Sequence, residues 1–442
     1  MRRREQMVLG AYLSYGTGHH AASWIHPSTD ANSSRSLPHY QRMAKTADQS
    51  VFDFMFLSDA PAVFNDDAVG QGGRVVFFEP TTLTAALIPH TERLGFVVTA
   101  STTYNEPYNV ARTMAGLDLL SSGRIGWNLV TTSKVAAGRN FGFKEHPPHQ
   151  IRYERAEEFI DVVRSLWDTW DDDAVLADRA TVRYYDPTRR HVTRFKGEHF
   201  DIEGELNVPR PVQGHPVLFQ AGSSVAGKEL AARTADAIFT AQPDIEAALT
   251  FAADLDERVQ RHRNGSASPL ILPGLTIYTG PDKKAAIDSR RELEEMVPEE
   301  LGLSMLSDLL GGVDLHNADP DGPLPEVPLG NGNRSRQRLI LDRAQRESLT
   351  IRQLFQWIST SRGHATITDS YDGVVSTIQD WFDAGAVDGF NIMPATLPGG
   401  LDEFIEHIVP RLTARGLSPS TGRTGTLRER LTLPRPASSF AS

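Results

Sequence analysis

The 442-residue sequence contains no cysteine. That excludes disulfides, thiolate catalysis and cysteine-ligated zinc. It also lacks any apolar run near the roughly 20 residues that a membrane-spanning helix needs. Met1-Arg2-Arg3-Arg4 is basic, but no apolar h-region of a signal peptide follows it. A secretory signal is therefore not expected, and a cytoplasmic protein is. Positive charge is in deficit: 45 Lys and Arg against 56 Asp and Glu leave a net charge of −11. General nucleic-acid affinity is not expected from such a chain. No Gly-x-Gly-x-x-Gly opens a helix after a strand, and there is no P-loop and no Gly-x-Ser-x-Gly elbow. Dinucleotide domains, NTP chemistry and serine nucleophiles thus have no support.

What is present is an alternation of short apolar runs and helical patterns. Runs at Met7 to Ser14, Val51 to Leu57, Leu94 to Ala100, Ile125 to Val130, Val217 to Gln220, Ala237 to Thr240, Leu270 to Tyr278 and Gly389 to Met393 read as eight buried strands. Proline in the first turn starts helices after Glu79 and at Pro107, where its missing N–H costs nothing. Tyr153 to Trp170 is strongly periodic, and Phe159, Val162, Val163 and Leu166 read as apolar positions of an outer helix. Eight strands alternating with helices predict an α/β fold, a single (β/α)8 TIM barrel over residues 1–442. Asp171 to Gly204 reads as an insertion or small hairpin, and Leu301 to Gln337 as a second, irregular insertion. The Ser-, Pro- and Arg-rich tail at 417–442 reads as an extension wrapping a surface.

A barrel places its chemistry at the carboxyl ends of its strands. Three residue sets follow those ends. Phe219-Gln220-Ala221-Gly222-Ser223-Ser224 joins a strand to a helix; glycine admits close approach, and the helix start offers free N–H groups. Ala221, Gly222, Ser223 and Ser224, with Arg139 and Tyr153, are candidate phosphate ligands. Asp59, Thr99, Ser101 and Asn128 offer donors and acceptors suited to a planar heterocycle. His19, His20 and His26 crowd the first loop, and histidine is the usual acid–base group near neutral pH. Adjacent His19 and His20 cannot present both rings to one side of an extended segment, so a metal site is not expected.

Five stretches taken together resemble a known family. They are Trp127-Asn128-Leu129-Val130-Thr131-Thr132-Ser133, Arg139-Asn140-Phe141-Gly142, Arg152-Tyr153-Glu154-Arg155-Ala156-Glu157-Glu158-Phe159, Gln220-Ala221-Gly222-Ser223-Ser224 and Asp388-Gly389-Phe390-Asn391. The resemblance is to bacterial-luciferase-like flavin monooxygenases, in the group of the nitrilotriacetate, EDTA and dibenzothiophene-sulfone monooxygenases and the pristinamycin IIA synthase large subunit. Trp24-Ile25-His26-Pro27 and Thr103-Tyr104-Asn105-Glu106-Pro107 also match.

The resemblance implies a barrel that takes reduced FMN from a separate NAD(P)H:flavin reductase and uses O2 to oxygenate a small organic substrate. It implies that Asp59, Ser101 and Asn128 face the flavin ring and ribityl chain, that Tyr153, Ser223 and Ser224 hold its phosphate, and that His19, with His20 as neighbour, serves the reaction. It further implies a mobile region over the site at 301–337 and a homo-oligomer, dimer or tetramer. Two departures stand out. Ile367-Thr368-Asp369-Ser370 replaces the usual Val-Gly-Thr-Pro, and Ile25 replaces an arginine, which points to a less charged substrate than a polycarboxylate. The alternatives are an FMN- or F420-dependent dehydrogenase on the same fold, a non-catalytic flavin-binding subunit, and a metal-dependent hydrolase.

Overall fold

The computed structural model describes residues 4–63, 70–263, 267–328 and 334–440. The strands are β1 (Val8–Tyr12), β2 (Phe54–Leu57), β3 (Gly95–Ser101), β4 (Ile125–Val130), β5 (Val175–Asp178), β6 (Arg183–Tyr185), β7 (Thr193–Lys196), β8 (Asp201–Gly204), β9 (Val217–Gln220), β10 (Ala237–Thr240), β11 (Leu270–Gly280), β12 (Ala365–Ser370) and β13 (Gly389–Ile392). Parallel pairing runs β1-β2-β3-β4-β9-β10-β11-β13 and returns to β1, which closes an eight-stranded barrel. The eight strands expected from the sequence are these eight.

The closed barrel carries one strand more than expected. β11 outruns its neighbours, and its Leu275–Gly280 half pairs with Ala365–Ser370 of β12. Ile367-Thr368-Asp369-Ser370 is therefore strand, and Ser370 caps the following helix, Tyr371–Asp383, which is not the last. The polar half of this segment, Thr366, Thr368 and Asp369, hid its strand character from apolar patterning.

Alternation sorts each barrel strand into two faces. Val97, Gly126 and Phe219 meet inside the barrel. Phe96, Val98, Trp127 and Leu129 join the outer core against the helices. The helix His149–Trp167 buries Phe159, Val162, Val163 and Leu166 completely, each at 0% exposure. These positions are core and are not available to a partner. Closure at the β1–β13 seam depends on Gly389: its φ is +154°, and a Cβ there would lie 1.9 Å from Val8 O.

The insertions take distinct forms. Asp171 to Gly204 forms two antiparallel hairpins, β5–β6 and β7–β8. The stretch expected to be irregular from Leu301 begins as a helix, Glu299–Leu309, and helices Arg334–Glu347 and Ile351–Ser361 follow. These share a separate apolar cluster with Leu306, Ile340, Leu354 and Phe355, and Ala21 of the first loop joins it. Residues 329–333 of the expected mobile region lie outside the described residues.

The tail does more than wrap a surface. Leu427 and Leu431 pack with Val8, Phe54 and Val217 in the barrel interior. Arg423 pairs with buried Asp53 at 2.8 Å, and Arg428 pairs with Asp236 at 2.7 Å while donating to His215 O at 2.6 Å. The tail thus plugs the amino-terminal end of the barrel. Ligands must enter from the other end.

Candidate active site

The carboxyl-terminal half of the barrel interior sets polar side chains beside the rings of Tyr12, Phe56 and Phe239, where the opposite half is filled by Val8, Phe54, Val217 and Leu270. Thr99 and Asn128 lie opposite each other on β3 and β4. Asn128 Nδ2 donates to Thr99 Oγ1 at 2.8 Å, and both residues are buried. Asn128 Oδ1 is buried with no partner, as are both polar atoms of Asn391 and the Thr276 hydroxyl. Each such orphan costs roughly 1–3 kcal/mol in a finished core. Several on the inward faces of the barrel strands fit a site built for a ligand with its own donors and acceptors.

Ser101 has a different job from its neighbours. Its hydroxyl accepts from Thr103 N–H at 3.1 Å, Tyr104 N–H at 3.3 Å and the Thr132 hydroxyl at 2.6 Å. Thr132 stands at φ +48°, an unusual conformation for a β-branched residue. Arg152, missed as a site residue from the sequence, donates to Thr131 O and Thr132 O at 3.1 and 2.6 Å. Ser101 and Arg152 together hold the strained turn after β4.

The turn after β9 brings the expected phosphate ligands together, with one exception. Ser224 is the N-cap of the helix Val225–Thr234, and its hydroxyl accepts from Gly227 N–H at 3.1 Å. A Cβ on Gly222 would lie 3.2 Å from Tyr153 Oη, and one on Gly227 would lie 3.1 Å from the same oxygen. The Tyr153 hydroxyl therefore sits over two glycines at a helix start, where first-turn N–H groups lack intrahelical acceptors. Ser223 Oγ lies 3.1 Å from Thr240 Oγ1 on β10, and Ala221 is exposed between β9 and the turn. This set of donors suits a phosphate. Arg139 is the exception: it is exposed on the short helix Ala137–Asn140, and its side chain makes no hydrogen bond or ion pair among the described residues.

The two histidines of the first loop separate. The loop is pinned to the turn after β13, with His19 N–H donating to Pro394 O at 2.8 Å and His20 N–H to Ala395 O at 3.0 Å. His20 Nδ1 then accepts from Ala22 N–H at 3.1 Å and serves the turn itself. His19 turns into the barrel, edge-on to Tyr12 with ring centres 5.5 Å apart. Neither of its ring nitrogens makes a hydrogen bond of ideal geometry, but the Ser361 carbonyl lies close enough to act on the ring. Burial, then the Arg74 charge, drives His19 well below its ordinary value, and burial takes His20 down to about 3. Both rings are neutral at physiological pH. Asp59, half-buried after β2 and facing Glu79, is pushed up to about 6 by burial and that neighbouring charge.

A third histidine, His364, was not foreseen. It follows Arg362-Gly363 at the end of the helix Ile351–Ser361 and stacks on Phe239 with centres 5.2 Å apart. Its ring centre is 6.1 Å from that of His19. Only the tertiary fold joins residues 19 and 364, so local sequence offered no signal beyond a histidine after a helix-ending glycine. No group of three or more His, Asp or Glu side chains suited to a metal occurs among the described residues. No helix among them is long and apolar enough to cross a membrane.

Known proteins resemble this chain in sequence and fold. The luciferase-like monooxygenase family matches residues 17–357. Nitrilotriacetate monooxygenase component A of Aminobacter aminovorans is 42% identical, with 100% of this chain and 99% of that protein covered. N-acetyl-S-(2-succino)cysteine monooxygenase of Bacillus subtilis (strain 168) is 39% identical, with 99% of each covered. Among solved structures, a riboflavin lyase with modified FMN and riboflavin aligns with a TM-score of 0.86 at 29% identity, over 96% of this chain and 95% of that one.

Proposed function

The chain belongs to the luciferase-like monooxygenase family, and from that premise we propose that it is the oxygenase of a two-component system, fed with reduced FMN by a separate NAD(P)H:flavin reductase. One observation carries this reading: the unpartnered Asn128 Oδ1 and the Tyr153–Gly222–Gly227–Ser224 turn lie on adjacent strands at one barrel end. A flavin offers a matching pair of features, an imide edge and a phosphate. Asn128 and Asp59 would take the ring and its chain; Tyr153, Ser223, Ser224 and the helix start would take the phosphate. When bound, reduced FMN supplies the two electrons with which O2 yields one oxygen atom to substrate and one to water.

The protein's own part is to orient and to shield. The neutral, buried His19 sets its ring among Tyr12 and His364 inside the barrel. The helices Glu299–Leu309 and Arg334–Glu347 form its cover and exclude water. The assembly is a homo-oligomer in the same reading.

The test is an anaerobic titration with reduced FMN, followed by turnover under 18O2 with a reductase. Binding in the micromolar range or tighter, with label in the product, is expected. Failure to bind reduced FMN sinks the reading. Turnover that leaves no label in the product moves the chain to flavin-dependent dehydrogenation.

A further inference from the structure

The β5–β6 hairpin stands out from the barrel. Its two strands pair with each other and, among the described residues, with no other strand. Val175, Leu176, Val182 and Tyr184 are 46, 43, 89 and 71% exposed, so four large apolar side chains meet solvent within one short ribbon. A two-stranded ribbon is marginal in water on its own, and a clustered apolar surface marks a contact site.

The base of the hairpin is nonetheless fixed. Asp171 N–H donates to Arg189 O at 3.0 Å, and Asp186 N–H donates to Ala174 O at 2.8 Å. The Trp170 indole N–H donates to Leu206 O at 2.7 Å, and its ring meets Tyr185 edge-on with centres 5.5 Å apart. Tyr184 and Tyr185 are neighbours in β6 and so point to opposite faces. Val175 pairs with Tyr185, which leaves Leu176 on the face of Tyr184. Leu176 and Tyr184 therefore look away from Trp170, on an arm whose position the base sets. At the tip, Asp178 accepts from Ala180 N–H at 2.8 Å and from the Thr181 hydroxyl at 2.5 Å.

Charge and size indicate what covers the arm. Asp178 is engaged by its own turn, while Arg179 and Arg183 are exposed beside the apolar side chains. Arg183 reaches Asp186 only at 3.8 Å. The arm is thus cationic in a chain of net charge −11. Two such acidic chains repel each other, and the arm is a part that the acidic surface of another copy attracts. A specific interface takes roughly 20–30 residues a side. Residues 175–185 are too few for that when docked once. Across a two-fold axis each chain contributes both an arm and a receiving patch, which doubles the contact.

We propose that the β5–β6 arm docks on the acidic surface of a second copy of this chain, reciprocally, and that this exchange holds the homo-oligomer together. The inference rests on the function proposed above only for the homo-oligomer and is independent of the flavin site.

The experiment compares the full-length chain with L176E/Y184E by sedimentation velocity at micromolar concentration, with circular dichroism to check the fold. An even-numbered oligomer is expected for wild type, and a dissociation constant raised roughly 100-fold or more for the variant. R179E/R183E should weaken assembly as well, most at low salt. The chain has no cysteine, so A180C carries a single photo-crosslinker at the arm tip. In a mixture of unlabelled and 15N-labelled chains, cross-linked peptides of mixed isotope are expected. Assembly left intact in both variants, or arm cross-links confined to one chain, overturns the proposal and leaves the homo-oligomer standing. Capture of a flavin reductase by the arm in place of a copy overturns it too. A monomeric wild type overturns both. Wild type that fails to bind reduced FMN, with the variants dissociating as expected, is failure of the proposed function alone. If L176E/Y184E does not fold, R179E/R183E and the cross-link decide.

Discussion

Gly227→Ala sets two effects against each other. Gly227 lies in the first turn of the helix Val225–Thr234, where alanine should stabilise the helix by about 0.5–1 kcal/mol. Its added methyl, however, would stand 3.0 Å from both Cα and the carbonyl carbon of Gly222, and 3.1 Å from Tyr153 Oη. Two of those three neighbours are backbone and cannot swing aside, so the turn itself must move. Forcing a methyl into a closed space costs about 1–3 kcal/mol, which exceeds the helix gain. If the cost falls on the turn that receives the flavin phosphate, affinity for reduced FMN drops roughly 5- to 150-fold, at about 1.4 kcal/mol per tenfold. The assay is anaerobic fluorescence titration of wild type and variant, with urea unfolding run in parallel. The expected result is a large loss of affinity in a variant that stays folded, with stability lowered by about 2 kcal/mol or less. Affinity within twofold of wild type, in a folded variant, would refute the claim that this turn receives the cofactor.

Three further outcomes follow from the same geometry. Asn128→Leu fills the space but removes the free Oδ1 and strands the Thr99 hydroxyl; flavin affinity should fall by about 1–3 kcal/mol in the same titration, and wild-type affinity would remove Asn128 from the site. Arg428→Met leaves Asp236 without its ion-pair partner and the carbonyls of His215 and Pro216 without a donor; urea unfolding should show a loss of about 3 kcal/mol or more, whereas a change under about 0.5 kcal/mol would mean the tail is not a structural plug. Asp59 keeps its proton to higher pH in the folded chain than in the unfolded one. Its stabilising contribution is therefore complete below the ordinary value of 3.8 and is lost as pH rises through about 6. Asp59→Asn should flatten stability against pH across that window, and identical slopes in variant and wild type would contradict the burial of this carboxyl.

The barrel was legible in the sequence because each of its eight strands is buried on both faces. Burial demands an apolar run, and apolar runs are visible one residue at a time. β12 escaped because it pairs only with the overhanging half of β11, where Thr366, Thr368 and Asp369 need no apolar surroundings. Within the proposed site, the glycine-serine turn and Asn128 could be named from local chemistry and family motifs. The division of labour between His19 and His20 was not, because adjacent residues differ only in where the folded loop turns each ring.

By itself the sequence determined the fold class and the family, and it pointed to the strand ends and the glycine-serine turn proposed as the site, since each is read from residues close together in the chain. The tertiary structure alone decided that Ser101 braces a strained turn, that Arg139 stands apart, that the tail seals the barrel floor, and that His364 meets His19 across more than three hundred residues of chain. Those facts depend on which side chains the closed barrel brings face to face. Hydrogen bonds and ring contacts act over a few ångströms of space, and separation along the chain says nothing about them.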